Sequence, residues 1–242
     1  MSVRNGQHAG IVNVAILGCG RIAHHMADTL RQMATDYRYG RLIAPYAVAT
    51  RNSQQRADEF ATQYGFPKAY GSYEELLADP EVDLVYIATP HALHAGHAIA
   101  CMMAGKNVLV EKSFTANTAQ AEKVIRTAQQ TRLLCTEAIW TRYIPSRALI
   151  TEVIESGAIG VPHQAYANLS YPVSNKARMT DPAMAGGALL DVGVYPINFI
   201  DMAFPDAEPV RMISSCNFTD RGVAEQWCDG EYRFVHDRGG IA

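Results

Sequence analysis

Val12-Asn13-Val14-Ala15-Ile16-Leu17-Gly18-Cys19-Gly20-Arg21-Ile22-Ala23 is the stretch on which the fold turns. Val12 to Leu17 is a short apolar run that stops at Gly18, the pattern of a strand covered on both faces. From Ile22 the period changes. Ile22, Met26, Leu30 and Met33 recur at steps of three to four, as on one face of a helix. Between the two lies Gly18-Cys19-Gly20-Arg21-Ile22-Ala23, which fits G-x-G-x-x-G/A. That pattern alone is weak, and a plain strand–helix turn with two glycines is the alternative. Its place, directly after a strand and opening a helix, is what dinucleotide binding requires. Gly18 permits the tight turn, Gly20 lets backbone approach a pyrophosphate, and Ala23 allows close helix–strand packing. Arg21 and Ile22 start the helix, whose N-terminal N–H groups and positive dipole end suit phosphates.

Working outward, strands and helices alternate. An apolar run at Tyr46–Ala49 ends at Thr50-Arg51-Asn52, and Asn52 is the expected N-cap of a helix carrying Ala57, Phe60, Ala61 and Tyr64 and closed by Gly65. A short helix over Tyr73–Ala78 precedes a buried strand, Leu84–Ala88. A helix over Ala92–Ala104 closes at Gly105, and strand Val108–Val110, helix Thr118–Gln130 and strand Leu133–Thr136 follow. This order packs as one parallel sheet with helices on both faces. Beyond it the texture changes: a helix at Pro145–Glu155, a Gly-rich turn and helix over Gly186–Phe204, and alternating stretches at Gln164–Tyr171, Val210–Phe218 and Glu231–Val235. Such alternation marks antiparallel strands with one solvated face. The expected class is α/β: residues 1–138 a doubly wound dinucleotide-binding domain, residues 139–242 an α+β domain.

Composition narrows the function. Lys and Arg number 21 against 24 Asp and Glu, a formal net charge of −3, without the basic excess of a dedicated nucleic-acid binder. The hydrophobic fraction is 48% and the charged fraction 19%, ordinary for a chain with a packed core. The longest apolar stretches fall short of the ~20 residues a bilayer needs, and MSVRNGQHAG has no apolar signal region. Cys19, Cys101, Cys135, Cys216 and Cys228 lack CxxC spacing and read as reduced thiols of a cytoplasmic protein. His24-His25 has no acidic or Cys partner at ligand spacing, so no metal site is expected. The partner these features imply is a small molecule, not nucleic acid or a membrane.

The end of the second strand selects the cofactor. An NAD site places Asp or Glu there for the ribose 2′-OH. Ala49-Thr50-Arg51-Asn52 has no acid. Arg51 suits a 2′-phosphate and Thr50 or Asn52 can donate to it, so NADP is expected ahead of NAD. The alternative for Arg51 is a solvated helix-start residue.

Several segments together resemble the glucose–fructose oxidoreductase/inositol dehydrogenase (Gfo/Idh/MocA) family of NAD(P)-dependent oxidoreductases: AILGCGRIA (15–23), YIATPHALHAGHAIACMMAGKNVLVEKSF (86–114), TEAIWTRYIP (136–145) and GGALLDVGVYPINFID (186–201). Tyr195 stands where the inositol dehydrogenases have His, which resembles the branch with the dihydrodiol dehydrogenases. The resemblance implies a Rossmann domain, then a domain on an open, mostly antiparallel sheet that often forms a homodimer interface. It implies substrates that are sugars, polyols or cyclic diols oxidised at a CH–OH carbon.

Glu111-Lys112 follows strand Val108–Val110, at the carboxyl end where open α/β sheets place ligands. By resemblance Lys112 meets the reacting oxygen, where an ammonium stabilises developing negative charge. Tyr195 resembles the family's proton donor and acceptor. Asp191, four residues earlier in a segment read as helix, shares its face and is expected to position Lys112 or bind a substrate hydroxyl. Gly186 and Gly187 are expected to let backbone approach substrate or cofactor closely. By resemblance Thr89, Pro90 and His91 line the cofactor, with His94, Glu111 and Glu137 beside them. A satisfied structural histidine is the alternative for His94. Trp140 and Arg142 are candidates for the substrate pocket, and Tyr171, Lys176 and Arg178 sit in a loop nearby. The family form is often Glu-Lys-Pro with a cis bond. Ser113 here leaves two alternatives, a trans bond with Lys112 aimed differently or a cis bond held by its surroundings.

Two rivals share the fold: a non-catalytic NAD(P)-binding sensor, and an enzyme such as a glycosidase that uses the nucleotide internally. Length adds an expectation. The first domain takes about 138 residues and leaves roughly 104, fewer than the family's second domain. The ending Arg238–Ala242 resembles a hairpin turn inside the family sheet, so on the order of 100 residues are expected beyond it.

Overall fold

The computed structural model describes residues 10–171, 176–205, 209–218, 225–234 and 239–241, the last two stretches by their backbone. The chain divides into two compact units, Met1–Thr89 with Leu93–Glu137, and Pro90–Ala92 with Ala138–Ala242.

The first unit alternates β1 (Val12–Leu17), α1 (Arg21–Thr35), β2 (Ile43–Ala49), α2 (Gln54–Tyr64), β3 (Lys68–Tyr70), α3 (Tyr73–Ala78), β4 (Leu84–Ile87), α4 (His91–Met103), β5 (Asn107–Val110), α5 (Thr118–Thr131) and β6 (Cys135–Glu137). The six strands form one parallel sheet in the order β3-β2-β1-β4-β5-β6. Ala15, Leu17, Val85, Ile87, Val108 and Val110 lie in one buried cluster with Ala98, Cys101 and Met102 of α4. That explains why these strands read as apolar runs rather than alternations. The strand order reverses between β1 and β4, the switch point where such sheets take ligands. There the strand ends are tied together: Gly18 N donates to Ala49 O (2.9 Å), Ala88 N to Leu17 O (2.9 Å) and Glu111 N to Ile87 O (3.1 Å).

Helix starts follow from side-chain caps. Ser53 Oγ accepts from Arg56 N at 3.3 Å, Ser72 Oγ from Glu75 N at 3.3 Å, and Asn117 Oδ1 from Gln120 N at 3.0 Å. Asn52 is not the cap of α2, as the sequence suggested. It takes the left-handed conformation (φ 57°) that Asn tolerates, which turns the chain so that Ser53 caps instead. The reading also lacked β3, whose Lys68 Nζ and Tyr70 OH both donate to Asp79 Oδ2 at 2.9 and 2.7 Å. Behind that edge the buried Lys106 ammonium donates to the carbonyl oxygens of Asp79 and Val82 (2.5 and 2.9 Å).

The second unit contains α6 (Pro145–Glu155), β7 (Gln164–Tyr166), α7 (Ala177–Thr180), α8 (Val194–Ala203), β8 (Pro209–Phe218), β9 (Glu225–Phe234) and β10 (Gly239–Ile241). Pro145 opens α6 at its first turn, where a missing N–H costs nothing. The strands form a sheet in the order β7-β10-β9-β8. β8 and β9 pair antiparallel, β10 is antiparallel to β9, and β10 is parallel to β7. Ile200, Ala203 and Phe204 are buried together, with Ala165 and Ala167 packed against them. By length and hydropathy alone the stretch Pro182–Ala203 passes for a bilayer span, which differs from the expectation that no apolar stretch is long enough; it contains Asp191, Asn198 and Asp201. Strand β7 stops at Tyr166 and not Tyr171, and β9 begins at Glu225, earlier than its alternation suggested. Val235, Arg238 and Ala242, read as strand and turn, lie outside the described residues. Cys19, Cys101 and Cys135 are free thiols, but Cys216 is disulfide-bonded, which corrects the reading of all five as reduced. The strand register places Cys228 opposite Cys216, a pairing that cysteine spacing along the chain does not reveal.

Gly186 has a structural purpose other than the one its sequence suggested. A Cβ there would fall 2.4 Å from Arg178 O and 2.6 Å from Met179 O, so the close approach is to the α7 backbone. Gly186→Ala must push that backbone aside. It is expected to cost about 1–3 kcal/mol, as overpacking does. A lower calorimetric unfolding midpoint checks this, and an unchanged midpoint contradicts the packing.

Candidate functional site

The glycine loop is shaped by the carboxyl ends of β1 and β4. Gly18 has φ +103°, and a Cβ on it would sit 3.1 Å from Ala88 O and 3.2 Å from Thr89 Cγ2. Only glycine suits that backbone. Gly20 is the N-cap of α1 and supplies no side-chain cap, so the first N–H groups open onto the loop, with Arg21 and Ile22 exposed beside them. These are the attributes of a pyrophosphate cradle. Arg56, which sequence reasoning missed, donates from Nη2 to Cys19 O at 2.8 Å and pins the loop to α2. Its signal was its place at the third position of the Ser53-capped helix. Burial pushes the Cys19 thiol up to about 11, so it stays a packed, neutral thiol.

At the end of β2, Arg51 is exposed, but Thr50 is buried and its hydroxyl donates to Ser53 O at 2.6 Å. Thr50 therefore closes the β2–α2 turn with the donor that the sequence offered to a phosphate.

The ends of β4, β5 and β6 converge on Lys112. Thr89 Oγ1 meets His97 Nδ1 at 3.0 Å. His94 is wholly buried, with Nδ1 2.7 Å from Ser113 O and Nε2 2.7 Å from Thr89 O, so it staples the end of β4 to the residue after Lys112. Burial pulls its pKa down, against these two backbone contacts. Glu111 accepts from Tyr86 OH on Oε1 (2.5 Å) and from Lys112 N on Oε2 (3.1 Å). Burial raises its pKa, while Tyr86 and Lys112 favour the anion. Glu137 Oε1 accepts from Phe114 N at 2.8 Å. The Lys112–Ser113 peptide bond is cis, the second of the two alternatives left by Ser113. Lys112 itself is half-buried. Gly18, Gly20, Arg21, Ile22, Thr50, Arg51, Thr89, His94, Glu111, Lys112 and Glu137 thus all lie at or just beyond the carboxyl ends of β1, β2, β4, β5 and β6, or on the helices that follow.

In the second unit, Asp191 and Tyr195 do not share one regular helix. Leu189–Gly193 is a π-helical turn and α8 starts at Val194, so four-residue α-helical spacing does not relate them. Asp191 is buried and accepts from Arg178 Nη1 at 2.8 Å, a partner its sequence neighbours do not reveal. Tyr195 is half-buried, and its oxygen accepts from Trp140 Nε1 at 3.1 Å. Arg142 pairs with Asp201 at 2.6 Å. Pro90 is exposed, while His91 is buried, with Nδ1 3.1 Å from Ala185 O. Tyr171 is exposed and Lys176 half-buried. His24 Nδ1 lies 2.8 Å from Tyr64 OH, and its ring packs tilted against Phe60. Among the described residues no group of three or more His, Cys, Asp or Glu could hold a metal ion.

Comparison with known proteins agrees with this architecture. Residues 12–138 match the model of an oxidoreductase family with an NAD-binding Rossmann fold, and residues 148–236 match the GFO/IDH/MocA C-terminal domain. D-xylose 1-dehydrogenase (NADP(+)) of Hypocrea jecorina is 42% identical over 198 residues, 74% of this chain and 51% of its own. Mouse trans-1,2-dihydrobenzene-1,2-diol dehydrogenase is 40% identical over 177 residues, 73% of this chain and 53% of its own. A 3-ketoreductase of Actinomadura kijaniata, solved with NADP and TDP-benzene, superposes with TM-score 0.80 at 27% identity over 95% of this chain and 68% of that one. The chain spans about half the length of the curated relatives it matches.

Proposed function

Since the chain belongs to the Gfo/Idh/MocA oxidoreductase family, we propose that it is an NADP-dependent dehydrogenase acting on a secondary alcohol of a sugar, polyol or cyclic dihydrodiol. The observation that carries the proposal is Lys112 at the carboxyl end of β5, in the same sheet as the uncapped glycine loop after β1. The sugar and diol dehydrogenases among its relatives support the substrate class. NAD is the second cofactor to test.

Gly18, Gly20 and the first N–H groups of α1 would hold the pyrophosphate, with Arg51 and Arg56 supplying positive charge at the ribose phosphate. Thr89, Pro90, His91, His94, Glu111 and Glu137 would line the remainder. When bound, the nicotinamide would supply reversible hydride exchange with the alcohol carbon. In this proposal Lys112 polarises the reacting oxygen, and Tyr195 gives or takes its proton. Asp191, held by Arg178, would position a substrate hydroxyl. A homodimer through the four-stranded sheet belongs to the same proposal, supported by exposed Val210, Met212, Ile213 and Phe218 on β8. A cytoplasmic setting is part of the same proposal; the free thiols of Cys19, Cys101 and Cys135 support it, and the disulfide at Cys216 counts against it.

A panel of sugars, polyols and trans-dihydrodiols with NADP+ and NAD+, followed by nicotinamide absorbance, tests the reading. Reduction of NADP+ by one of these classes supports it. Tight NADP(H) binding with no reduction favours a sensor. Binding with substrate turnover but no net reduction favours internal use of the nucleotide.

The cofactor preference has its own test. Arg51→Ala removes a charge-assisted partner worth about 1.5–3 kcal/mol. NADPH affinity is expected to fall about 10- to 100-fold, with NADH affinity unmoved. Fluorescence titrations of both nucleotides read this, and an unchanged ratio excludes Arg51 as the reader.

A further inference from the structure

We infer that Tyr86 is a positioning residue for the proposed reaction: its hydroxyl fixes the Glu111 carboxylate, and that carboxylate holds the backbone of Lys112. The inference rests on the functional reading above for Lys112, and its test separates the two.

Tyr86 is 1% exposed and lies between Val85 and Ile87, both 0% exposed, in the middle of the sheet. Packing alone would be served there by phenylalanine, since a buried hydroxyl requires a partner. The partner is set by register. Tyr86 stands opposite Leu109, and side chains two apart on a strand share a face, so Glu111 comes up on the side of Tyr86. The Tyr86 hydroxyl donates to Glu111 Oε1, and the other oxygen accepts the Lys112 N–H. Both carboxylate oxygens therefore have donors, one from β4 and one from the residue that bears the ammonium.

Three titratable groups face Glu111: Tyr86 on β4, Lys112 beyond β5, and Glu137 on β6. Burial and Glu137 favour the neutral acid, while Tyr86 and Lys112 favour the anion. Removing the Tyr86 hydroxyl deletes one of the two supports of the anion. Glu111 then takes a proton at higher pH, and as a neutral acid it no longer holds the Lys112 N–H as firmly. The lysine loses both a fixed backbone and a neighbouring negative charge.

The test is Tyr86→Phe in the full chain, which keeps the ring and its packing. With the panel substrate that is turned over, kcat is expected to fall about 10- to 100-fold, the scale of small misplacements of a reacting group, while KM and NADPH affinity stay near wild type. The acid limb of the kcat profile is expected to move to higher pH. Carboxylate 13C NMR without cofactor gives the direct readout: the Glu111 resonance, assigned by its loss in Glu111→Gln, titrates at higher pH in Tyr86→Phe than in wild type. Adding Tyr86→Phe to Glu111→Gln is expected to cost nothing further, whereas a packing role alone would add its loss in full. An unmoved Glu111 titration, or additive losses in the double variant, overturns the inference. A wild-type chain that turns over no panel substrate sinks the functional reading instead, and the Glu111 titration then decides this one.

Discussion

Lys112→Met is expected to lower kcat by about a hundred- to ten-thousandfold, the range seen when an acid–base or charge-stabilising group is removed. Methionine keeps an apolar stem of similar length and deletes the ammonium. What surrounds residue 112 stays: the His94 contact to Ser113 O and the Glu137 contact to Phe114 N both involve backbone atoms beyond it. The Gly18 turn is built from β1 and β4 and does not use the lysine. NADPH binding is therefore expected to change only a few-fold, so the loss falls on the chemical step. Glu111, already raised by burial, also loses the cation that lowers it, and its carboxylate is expected to titrate higher still. Single-turnover hydride transfer at saturating substrate checks the main effect. A rate within threefold of wild type would falsify the role proposed for Lys112.

Tyr195→Phe is expected to cost about a hundred- to thousandfold in kcat, somewhat less than Lys112→Met. The Trp140 contact sets how the phenol would serve in the proposed role. An indole N–H can only donate, so the Trp140 contact makes the Tyr195 oxygen an acceptor. That leaves the phenol's own O–H to donate to a different acceptor, the orientation a proton donor needs. Phenylalanine keeps the ring contact with Trp140, whose centroid lies 6.1 Å away, so α8 is expected to hold its place. The pH dependence of kcat is expected to flatten. A variant with full turnover and an unaltered pH profile would show that the proton travels by another route.

Much of the first unit was legible because its elements obey one simple contrast. Buried parallel strands read as unbroken apolar runs, helices as a three-to-four period, and the G-x-G-x-x-A loop joins one of each. What escaped depends on pairs distant in sequence. Tyr86 looks like one more apolar strand residue until the register sets it beside Glu111. Arg178 looks like a loop cation until the chain folds it onto Asp191. Strand β3 has only three residues and is held by polar contacts to Asp79, so it carries no hydrophobic signal. Asn52 and Ser53 are both good capping types, and only the left-handed turn at Asn52 decides between them. The π-helical turn at Leu189–Gly193 defeats any argument from α-helical spacing. Family resemblance named Lys112 and Tyr195, but it could not say what holds them.

The pairing of β10 with β7 sets an order of events during synthesis. Every strand of the first sheet finds its partners within the stretch that ends at Glu137, so that sheet can assemble as soon as β6 emerges from the ribosome. Gln164 of β7 must wait for Gly239 before its ladder can form. Until then β7 lacks the strand that neighbours it among the described residues, while β8 and β9 can already pair as a hairpin. Closing so long a loop is slow, because its entropy is lost before the contacts repay it. The nascent chain thus passes through an interval with one finished sheet and one waiting strand. In that interval the exposed edge is open to chaperones or to the β8–β9 hairpin of another molecule.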